Sequence, residues 1–206
     1  MTREPLTLAS SSPRRRQLLE MLGIPIRVIA PDIPEVRRPF ETPIDYVERL
    51  AREKALGVRG RLVLGADTTV VVRDEVLEKP TDTEDALRML RKLQGRTHQV
   101  VTSVAVVAGE RVHQATDVTS VSFRRLTDGQ LEAYIATGEP MDKAGAYGIQ
   151  GFGAALVDRI EGDFFSVMGL PIRLVLRLLE EAGEPYEFGG ATSGRNQPVE
   201  EVRAVR

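Results

Sequence analysis

Two long strand patterns that follow one another directly place the strongest constraint on how this chain can fold. Residues 99–107 and 112–123 are both rich in β-branched side chains, and only a short segment around the turn-like pair Gly109-Glu110 separates them. So short a connection joins strands that pair with each other, whereas parallel strands need a long crossover. Elsewhere helical and strand patterns alternate along the chain. The sequence therefore predicts an α/β fold with a mixed, twisted sheet and flanking helices.

Capping residues and apolar periodicity predict the remaining elements. Helices are expected after the N-cap residues Ser12, Thr42, Thr81 and Thr127, and after Pro171. Further strands are expected at residues 6–9, 24–29, 61–66, 69–72 and 154–160. Residues 1–188 are predicted to form the folded domain. Residues 189–206 are small and polar without apolar periodicity, so a disordered tail is predicted there.

The composition excludes several classes of function. The chain has 206 residues and a formal net charge of −2, so no global basic field exists to bind duplex nucleic acid. A module for single-stranded nucleic acid is disfavoured too, because aromatic residues are only 5% of the chain and tryptophan is absent. Cysteine is also absent, which excludes disulfides, thiolate nucleophiles and thiolate metal sites. Without a membrane-length apolar run or a signal-peptide pattern, a cytoplasmic protein with no membrane partner is expected.

Three consecutive arginines, Arg14, Arg15 and Arg16, lie in the first turn of a predicted helix. Cations at this end oppose the helix dipole by roughly 0.3–1 kcal/mol each, whereas the free backbone N–H groups there bind anions. The cluster therefore indicates a polyphosphate site, although a solvated basic patch has the same pattern. Successive helical side chains point about 100° apart, so at most two of the three can reach one ligand.

Lys54 falls inside the apolar stripe of the helix that begins after Thr42. It follows Leu50 by four residues and Ala51 by three, while charged residues occupy the opposite face. A lysine in this position either extends its ammonium group to an edge of the helix or meets an anion in a cleft. The sequence leaves both possibilities open.

Asp67 lies between the predicted strands 61–66 and 69–72, among apolar and β-branched residues. A carboxylate in such a setting is costly unless a metal ion, a cation or hydrogen bonds compensate it. At a strand end it is well placed for a ligand crevice. This interpretation is favoured over a turn aspartate that binds nearby backbone N–H groups.

Two later segments give weaker signals. Glu78-Lys79 places a carboxylate and an ammonium group directly before a proline, where the chain must change direction. Residues 142–153 form a Gly-rich loop in which Gln150 can donate to and accept from the edge of a base. Glycines in a purely structural loop have the same pattern.

Metal chemistry in this chain depends on carboxylates. No zinc-ligand spacing, Walker A loop or G-x-S-x-G elbow occurs in the sequence. His98 and His113 lie in strand patterns without a partner histidine and are expected to be structural. Since the remaining ligands for a hard cation are carboxylates, the expected metal is magnesium or manganese.

Six segments, taken together, resemble the Maf family of nucleoside triphosphate pyrophosphatases. They occur in the order found in that family and cover roughly residues 6–182. The segments are Leu8-Ala9-Ser10-Ser11-Ser12-Pro13-Arg14-Arg15, Ala51-Arg52-Glu53-Lys54-Ala55, Leu64-Gly65-Ala66-Asp67-Thr68, Glu78-Lys79-Pro80, Asp142-Lys143-Ala144-Gly145 continuing to Gln150-Gly151, and Val167-Met168-Gly169-Leu170-Pro171.

This resemblance implies a fold similar to that of inosine triphosphate pyrophosphatases, with a cleft between two lobes. It also implies a divalent cation, a homodimer and an association with septum formation. Asp67 is the implied catalytic residue, and Glu35 and Asp67 are the implied metal ligands. The implied substrate-binding residues are Ser10, Arg14, Arg15, Lys54, Thr68, Lys79 and Gln150.

Within the family, Arg14, Thr68 and Gln150 resemble the branch that prefers dTTP and UTP, rather than the branch that acts on 7-methyl-GTP. Pro34 departs from the family pattern, because many relatives have an acidic residue there, just before the glutamate that matches Glu35. This departure removes one possible metal ligand.

The functional hypothesis is attack of water on the α-phosphate of a nucleoside triphosphate, with pyrophosphate as the leaving group. Asp67 would act as general base or hold the metal that activates the water, and the sequence does not separate these roles. The cationic side chains would neutralise the triphosphate, while Thr68 and Gln150 would recognise the pyrimidine. The alternative is a regulator of septum formation that senses nucleotides without hydrolysing them, which would not need a carboxylate at position 67.

Overall fold

The computed structural model describes residues 4–188, which form one seven-stranded sheet with helices packed against it. The strands are β1 (Leu6–Ala9), β2 (Ile26–Val28), β3 (Leu62–Val72), β4 (Glu75–Leu77), β5 (Thr97–Ala108), β6 (Arg111–Phe123) and β7 (Val157–Glu161). The helices are α1 (Pro13–Met21), α2 (Pro43–Leu56), α3 (Thr83–Leu93), α4 (Asp128–Ile135), α5 (Phe164–Val167) and α6 (Ile172–Glu181). Short 3-10 helices occupy Glu139–Asp142, Ala144–Ala146 and Gly151–Leu156.

No helix in this part of the chain is long and apolar enough to cross a membrane. The predicted tail at 189–206 lies outside the described residues.

The sheet is mixed, as the sequence predicts. Its strand order is β2-β1-β3-β5-β6-β7, with β4 folded back onto β3. β1 lies parallel to both β2 and β3, whereas the other pairings are antiparallel. β5 and β6 form the predicted hairpin, in register from the pair Thr97 and Ser122 to the pair Ala108 and Arg111.

The prediction of two strands interrupted at Asp67 is wrong. Residues 62–72 form one continuous strand, because β5 pairs with it through this region and places Ser103 opposite Asp67 and Thr102 opposite Thr68. Asp67 therefore lies in the middle of a strand, neither at a strand end nor in a turn. Pairing with a neighbouring strand overrides the local break that two polar residues suggest.

Two further local predictions need correction, while the N-caps Thr42 and Thr127 are confirmed and each forms a capping box. The predicted strand at 154–160 begins only at Val157, after a 3-10 helix. Helix α3 is capped by Asp82, not Thr81, because the Asp82 carboxylate accepts the Asp85 N–H at 2.8 Å.

Two large hydrophobic clusters, of the four found in residues 4–188, lie along the sheet, and β3 passes from one to the other. The first packs β1, α1 and α6 against the start of β3 and includes Leu64 and Val175. The second packs α3 and α4 against the end of β3 and includes Val70 and Leu90. Residues 67–69, which are Asp-Thr-Thr, occupy the interval between the cores. These three residues, which we call the polar centre of the sheet, thus lie where the two packed regions meet.

Helix α2 packs unusually close to β3 at Gly65. A Cβ atom at this position would lie 2.3 Å from the Ala51 carbonyl oxygen and 2.6 Å from the Ala55 nitrogen, both in the helix backbone. Only a glycine allows this approach. The contact places Lys54, which lies between those two alanines, over the polar centre of β3.

Replacing Gly65 by alanine is therefore expected to destabilise the protein. The added methyl group meets helix backbone that cannot move independently, and overpacking of this kind costs about 1–3 kcal/mol. Urea denaturation measures the free energy of unfolding. Gly129→Ala in α4 is the matched control, because nothing lies within 4 Å of its Cβ position and alanine favours a helix. Equal midpoints for Gly65→Ala and the unmodified protein would contradict this account of the packing.

Candidate active site

A cleft of about 690 Å³ opens at the polar centre of the sheet. Its walls come from the segment after β1, the loop before α2, the inner face of α2, the middle of β3 and the segment 139–151. All the site residues predicted from the sequence line this one cleft: Ser10, Arg14, Arg15, Glu35, Lys54, Asp67, Thr68, Lys79 and Gln150. The structure thus brings together residues that are distant in sequence, while their individual roles stay predictions.

The topology explains why these segments meet. β1 runs parallel to β3, with Ala9 opposite Gly65. The chain that leaves β1 at Ser10 therefore emerges beside the part of β3 that leads to Asp67. Helix α1 begins there and directs the side chains of Arg14 and Arg15 in its first turn toward the cleft.

The centre of the cleft is a lysine held between two carboxylates. The Lys54 Nζ atom lies 2.7 Å from Asp67 Oδ1 and 2.7 Å from a carboxylate oxygen of Glu35. Lys54 and Asp67 are only 5% and 6% exposed, whereas the Glu35 side chain is 44% exposed. Of the two possibilities left open for Lys54, the inward one is observed. A buried ammonium group is tolerated because its charge is compensated on two sides.

Burial and charge shift the pKa values of the two carboxyl groups in opposite directions. Burial raises the pKa of Asp67 above its usual value, although the charges of Lys54 and Arg15 oppose this. Burial also favours the neutral form of Glu35. The hydrogen bond from Lys54 and the charges of Lys54 and Lys79 together outweigh burial, so the pKa of Glu35 is lowered. Asp67 is thus the carboxylate with the greater tendency to take up a proton.

The three adjacent arginines have different surroundings. Arg15 is buried, and it donates from Nε to the Gly169 carbonyl oxygen at 2.8 Å and from Nη1 to Ser10 Oγ at 3.2 Å. Burial lowers its pKa, while the charge of Asp67 opposes that effect. Arg14 lies at the cleft and pairs with Asp142 at 3.0 Å. Arg16 points away from the cleft and pairs with Glu20, so two of the three arginines line the site, as the helical geometry requires.

The donor set fits a small divalent cation. Among residues 4–188, no group of three or more His, Cys, Asp or Glu side chains is arranged to hold a metal ion. However, Asp67 and Glu35 both contact the Lys54 ammonium group, so their oxygens lie close together. Magnesium is typically bound by one or two carboxylates together with substrate phosphates, not by a cage of protein ligands. Two neighbouring carboxylates match that mode of binding.

Glu139, which no sequence pattern indicated, holds the Gly-rich segment in place. Its carboxylate accepts hydrogen bonds from the Phe152 N–H at 2.8 Å, the Gly153 N–H at 2.9 Å and the Tyr134 hydroxyl at 2.9 Å. These bonds flank Gln150 on its C-terminal side. No local pattern indicates them, because two of the three partners are backbone groups brought close by the 3-10 helices.

His98 supports the same segment from within the core. Its Nε2 atom lies 2.8 Å from the Tyr147 hydroxyl, and its ring makes edge contacts with Phe123 and Tyr147. Burial lowers the pKa of His98 to about 4, so the ring is neutral near pH 7. Neither His98 nor His113 lines the cleft.

Replacing Glu139 by alanine is expected to loosen residues 148–153. Loss of the carboxylate leaves the Phe152 and Gly153 N–H groups without their acceptor. Amide hydrogen exchange should accelerate at these two positions by about tenfold or more, which corresponds to about 1.4 kcal/mol. Glu132→Ala, which removes the same charge from an exposed position on α4, is the control. Unchanged exchange in Glu139→Ala would show that the segment is held by other contacts.

Comparisons with a family model and with sequence relatives both lead to one family. A family model described as "Maf-like protein" matches residues 5–182. The dTTP/UTP pyrophosphatase of Symbiobacterium thermophilum is 49% identical over 192 residues, covering 91% of this chain and 99% of the relative. That of Chromobacterium violaceum is 50% identical over 185 residues, with coverages of 85% and 93%. That of Escherichia coli strain UTI89 is 51% identical over 179 residues, with coverages of 84% and 91%.

Among solved structures, the Ham1 protein of Staphylococcus aureus matches with a TM-score of 0.43 and 16% identity, covering 75% of this chain and 80% of that one. A likeness at this level is too weak to support an argument about fold or activity. The family match spans most of the chain, and the relatives share about half of its residues over most of their own length. The chain therefore belongs to the Maf family.

Proposed function

We propose that this protein is a nucleoside triphosphate pyrophosphatase that hydrolyses dTTP and UTP to the monophosphate and pyrophosphate. The main support is the buried Asp67 carboxylate, bound to Lys54, at the base of a cleft lined by further cations. The relatives named dTTP/UTP pyrophosphatase, which are 49–51% identical to this chain, support the substrate.

The size and charge of the cleft suit a nucleotide. Sites for small molecules typically enclose about 300–1,000 Å³, and this cleft encloses about 690 Å³. Arg14, Lys79 and Lys143 line it together with the more deeply buried Arg15 and Lys54. The lining also contains five carboxylates, those of Glu35, Asp67, Glu78, Glu139 and Asp142. The phosphates would therefore be met by individual cations and by a bound divalent cation, not by a net positive field.

The proposed reaction is an in-line displacement at the α-phosphorus. A water oxygen forms a bond to that phosphorus, the bond from the phosphorus to the α-β bridging oxygen breaks, and pyrophosphate leaves with the electron pair. The proton of the water passes to Asp67. Lys54 binds Oδ1, which leaves Oδ2 as the oxygen for this transfer. Burial raises the pKa of Asp67 above its usual value, which makes this carboxylate a better proton acceptor.

Other residues of the cleft are assigned to binding. Arg14, Arg15, Lys54 and Lys79 would stabilise charge on the phosphates, with Ser10 beside them. Glu35 and Asp67 are the residues that would hold magnesium or manganese, and the ion when bound would neutralise phosphate charge and polarise the α-phosphate.

Thr68 and Gln150 would recognise the pyrimidine. A homodimer and an association with septum formation stay predictions from the family resemblance, and a cytoplasmic location stays a prediction from the sequence.

Product analysis tests the proposed function against the alternative of a sensor that does not hydrolyse its ligand. Purified protein is incubated with dTTP, UTP, CTP or ATP and with magnesium, manganese or EDTA, and both monophosphate and pyrophosphate are quantified. We expect equal amounts of both products from dTTP and UTP, and loss of turnover in EDTA. Tight binding of dTTP without pyrophosphate release under any metal condition would favour the sensor.

Replacing Asp67 by asparagine tests the assigned chemistry. Asparagine keeps the shape of the side chain but cannot accept the proton, so kcat for dTTP is expected to fall by about 10²–10⁴-fold. Binding of dTTP, measured by calorimetry, should largely survive because the cations remain. Asp74→Asn, a charge loss at an exposed position in the β3–β4 turn, is the control. Near-normal turnover by Asp67→Asn would remove this carboxylate from the reaction.

A further inference from the structure

We propose that Arg49, which does not line the cleft, is a positioning residue that holds Glu35 where a divalent cation binds. This inference rests on the proposed function, in which Glu35 helps to hold the cation, and extends it to the group that keeps Glu35 in place. It depends on hydrogen bonds that fasten the loop before α2 to the helix itself.

Glu35 lies on a segment that apolar packing does not fix. This segment, residues 34–41, which we call the Glu35 segment, belongs to neither a helix nor a strand, and residues 34–40 are all exposed. Ile33, directly before it, still packs against an apolar cluster that includes Leu50 of α2. A stretch with so little buried surface opens readily unless polar contacts hold it. The position of Glu35 beside Lys54 therefore depends on such contacts.

Arg49 of α2 provides contacts at both ends of the Glu35 segment. Its Nη2 atom donates to the carbonyl oxygen of Val36, the residue after Glu35, at 3.0 Å. Its Nε and Nη2 atoms donate to the two oxygens of Glu41 at 2.6 Å and 2.9 Å, and its Nη1 atom donates to Glu53 at 3.0 Å. A guanidinium group has five N–H donors, so each of these bonds can use a separate one.

The pair of Arg49 and Glu41 has the features of a strong ion pair. It is bidentate, and the two side chains are only 14% and 8% exposed. Most ion pairs at a surface contribute little, but bidentate geometry with low exposure is the exception. Because α2 carries both Arg49 and Lys54, the helix that holds the segment also carries the cation that Glu35 contacts. Glu35 is thereby fixed relative to Lys54 and Asp67.

Tyr46 does not replace this anchor. Its hydroxyl lies 3.2 Å from the Glu35 carbonyl oxygen and 2.9 Å from Glu78 Oε1. A hydroxyl has only one proton, and the closer, charged Glu78 is the stronger acceptor. The main hydrogen bond from α2 to the backbone beside Glu35 is therefore the one that Arg49 donates to Val36.

The test measures how tightly the protein binds a dTTP analogue in which a methylene group replaces the α-β bridging oxygen, so that no hydrolysis occurs. Calorimetry is carried out with manganese and, separately, with EDTA. Groups that orient a metal-binding side chain typically change metal affinity by about 10–100-fold. For Arg49→Met, we therefore expect the affinity with manganese to fall by about tenfold or more, with no loss in EDTA. Glu35→Gln should show the same pattern.

The double variant shows whether Arg49 acts through Glu35. If it does, the two losses are not additive, so Glu35→Gln/Arg49→Met should bind the manganese complex no more weakly than Glu35→Gln alone. Arg49→Lys keeps the charge but not the planar fork, so it can bind Glu41 or the Val36 carbonyl but not both. Its affinity should lie between those of Arg49→Met and the unmodified protein.

Arg52→Met is the matched control, because it removes the same charge from an exposed position on the same helix. It should bind the manganese complex as the unmodified protein does. The positioning role would be refuted by an unchanged affinity in Arg49→Met, by an equal loss in EDTA, or by a further loss in the double variant. If circular dichroism shows that Arg49→Met has lost its fold, Arg49→Lys is judged by the same three criteria.

The proposed function has a separate outcome. Absence of pyrophosphate release from both dTTP and UTP by the unmodified protein would overturn that function, and this inference with it. The binding results with the analogue do not depend on turnover. A protein that hydrolyses dTTP but meets any of the three refuting criteria would therefore overturn the inference alone.

Discussion

The buried ion pair between Lys54 and Asp67 is the interaction on which the arrangement of this protein depends. The charged atoms are 2.7 Å apart and almost inaccessible to solvent. Such a pair contributes little net stability, because the desolvation of both charges offsets their attraction, and apolar residues often stabilise a core at least as well. Removing Lys54, however, leaves the buried Asp67 carboxylate without the cation to which it is hydrogen-bonded. The pair therefore forces α2 to stay against the middle of β3, and Gly65 permits that approach by lacking a Cβ atom.

The polar interval on β3 also explains why the two largest hydrophobic clusters are separate and why a cleft lies between them. Apolar side chains before and after residues 67–69 pack into different clusters, so the interval cannot be covered by a single layer of apolar residues. Asp67 and Thr68 are held there by hydrogen bonds to Lys54, Arg15 and Thr102 instead. Arg15 joins the segment after β1, the centre of β3 and the loop before α6, through Ser10, Thr68 and Gly169. One buried guanidinium thus holds three walls of the cleft at fixed separations, which is the preorganisation that a binding site needs.

Much of this site can be predicted from the sequence, because several of its residues are of a type that is unusual for the helix or strand position in which they occur. A lysine in an apolar stripe, a carboxylate among β-branched residues and arginines at a helix N-terminus all indicate a compensating partner, and the structure brings all of them to one cleft. The remaining features depend on tertiary contacts, which a sequence pattern does not show. The break expected at Asp67 disappears because β5 pairs across it, and the direction of Lys54 is decided by the packing of α2. Glu139 gave no signal, since its partners are two backbone N–H groups and a tyrosine hydroxyl that only the folded chain brings near.

The charged groups of the cleft differ in their exposure to solvent. In the proposed reaction the exposed groups bind the triphosphate, while the buried ones take part in the chemistry. Lys79 is exposed and Arg14 partly exposed, so a triphosphate can meet them with little desolvation. Below them, the Glu35 side chain is 44% exposed and that of Lys54 only 7%. Because Lys54 satisfies both carboxylates before any ligand arrives, the deepest part of the cleft keeps a balanced charge in the free protein. The phosphates therefore approach a carboxylate that is already oriented, and Asp67 need not reorganise when charge develops at the α-phosphate, which is the condition under which buried electrostatic groups are most effective.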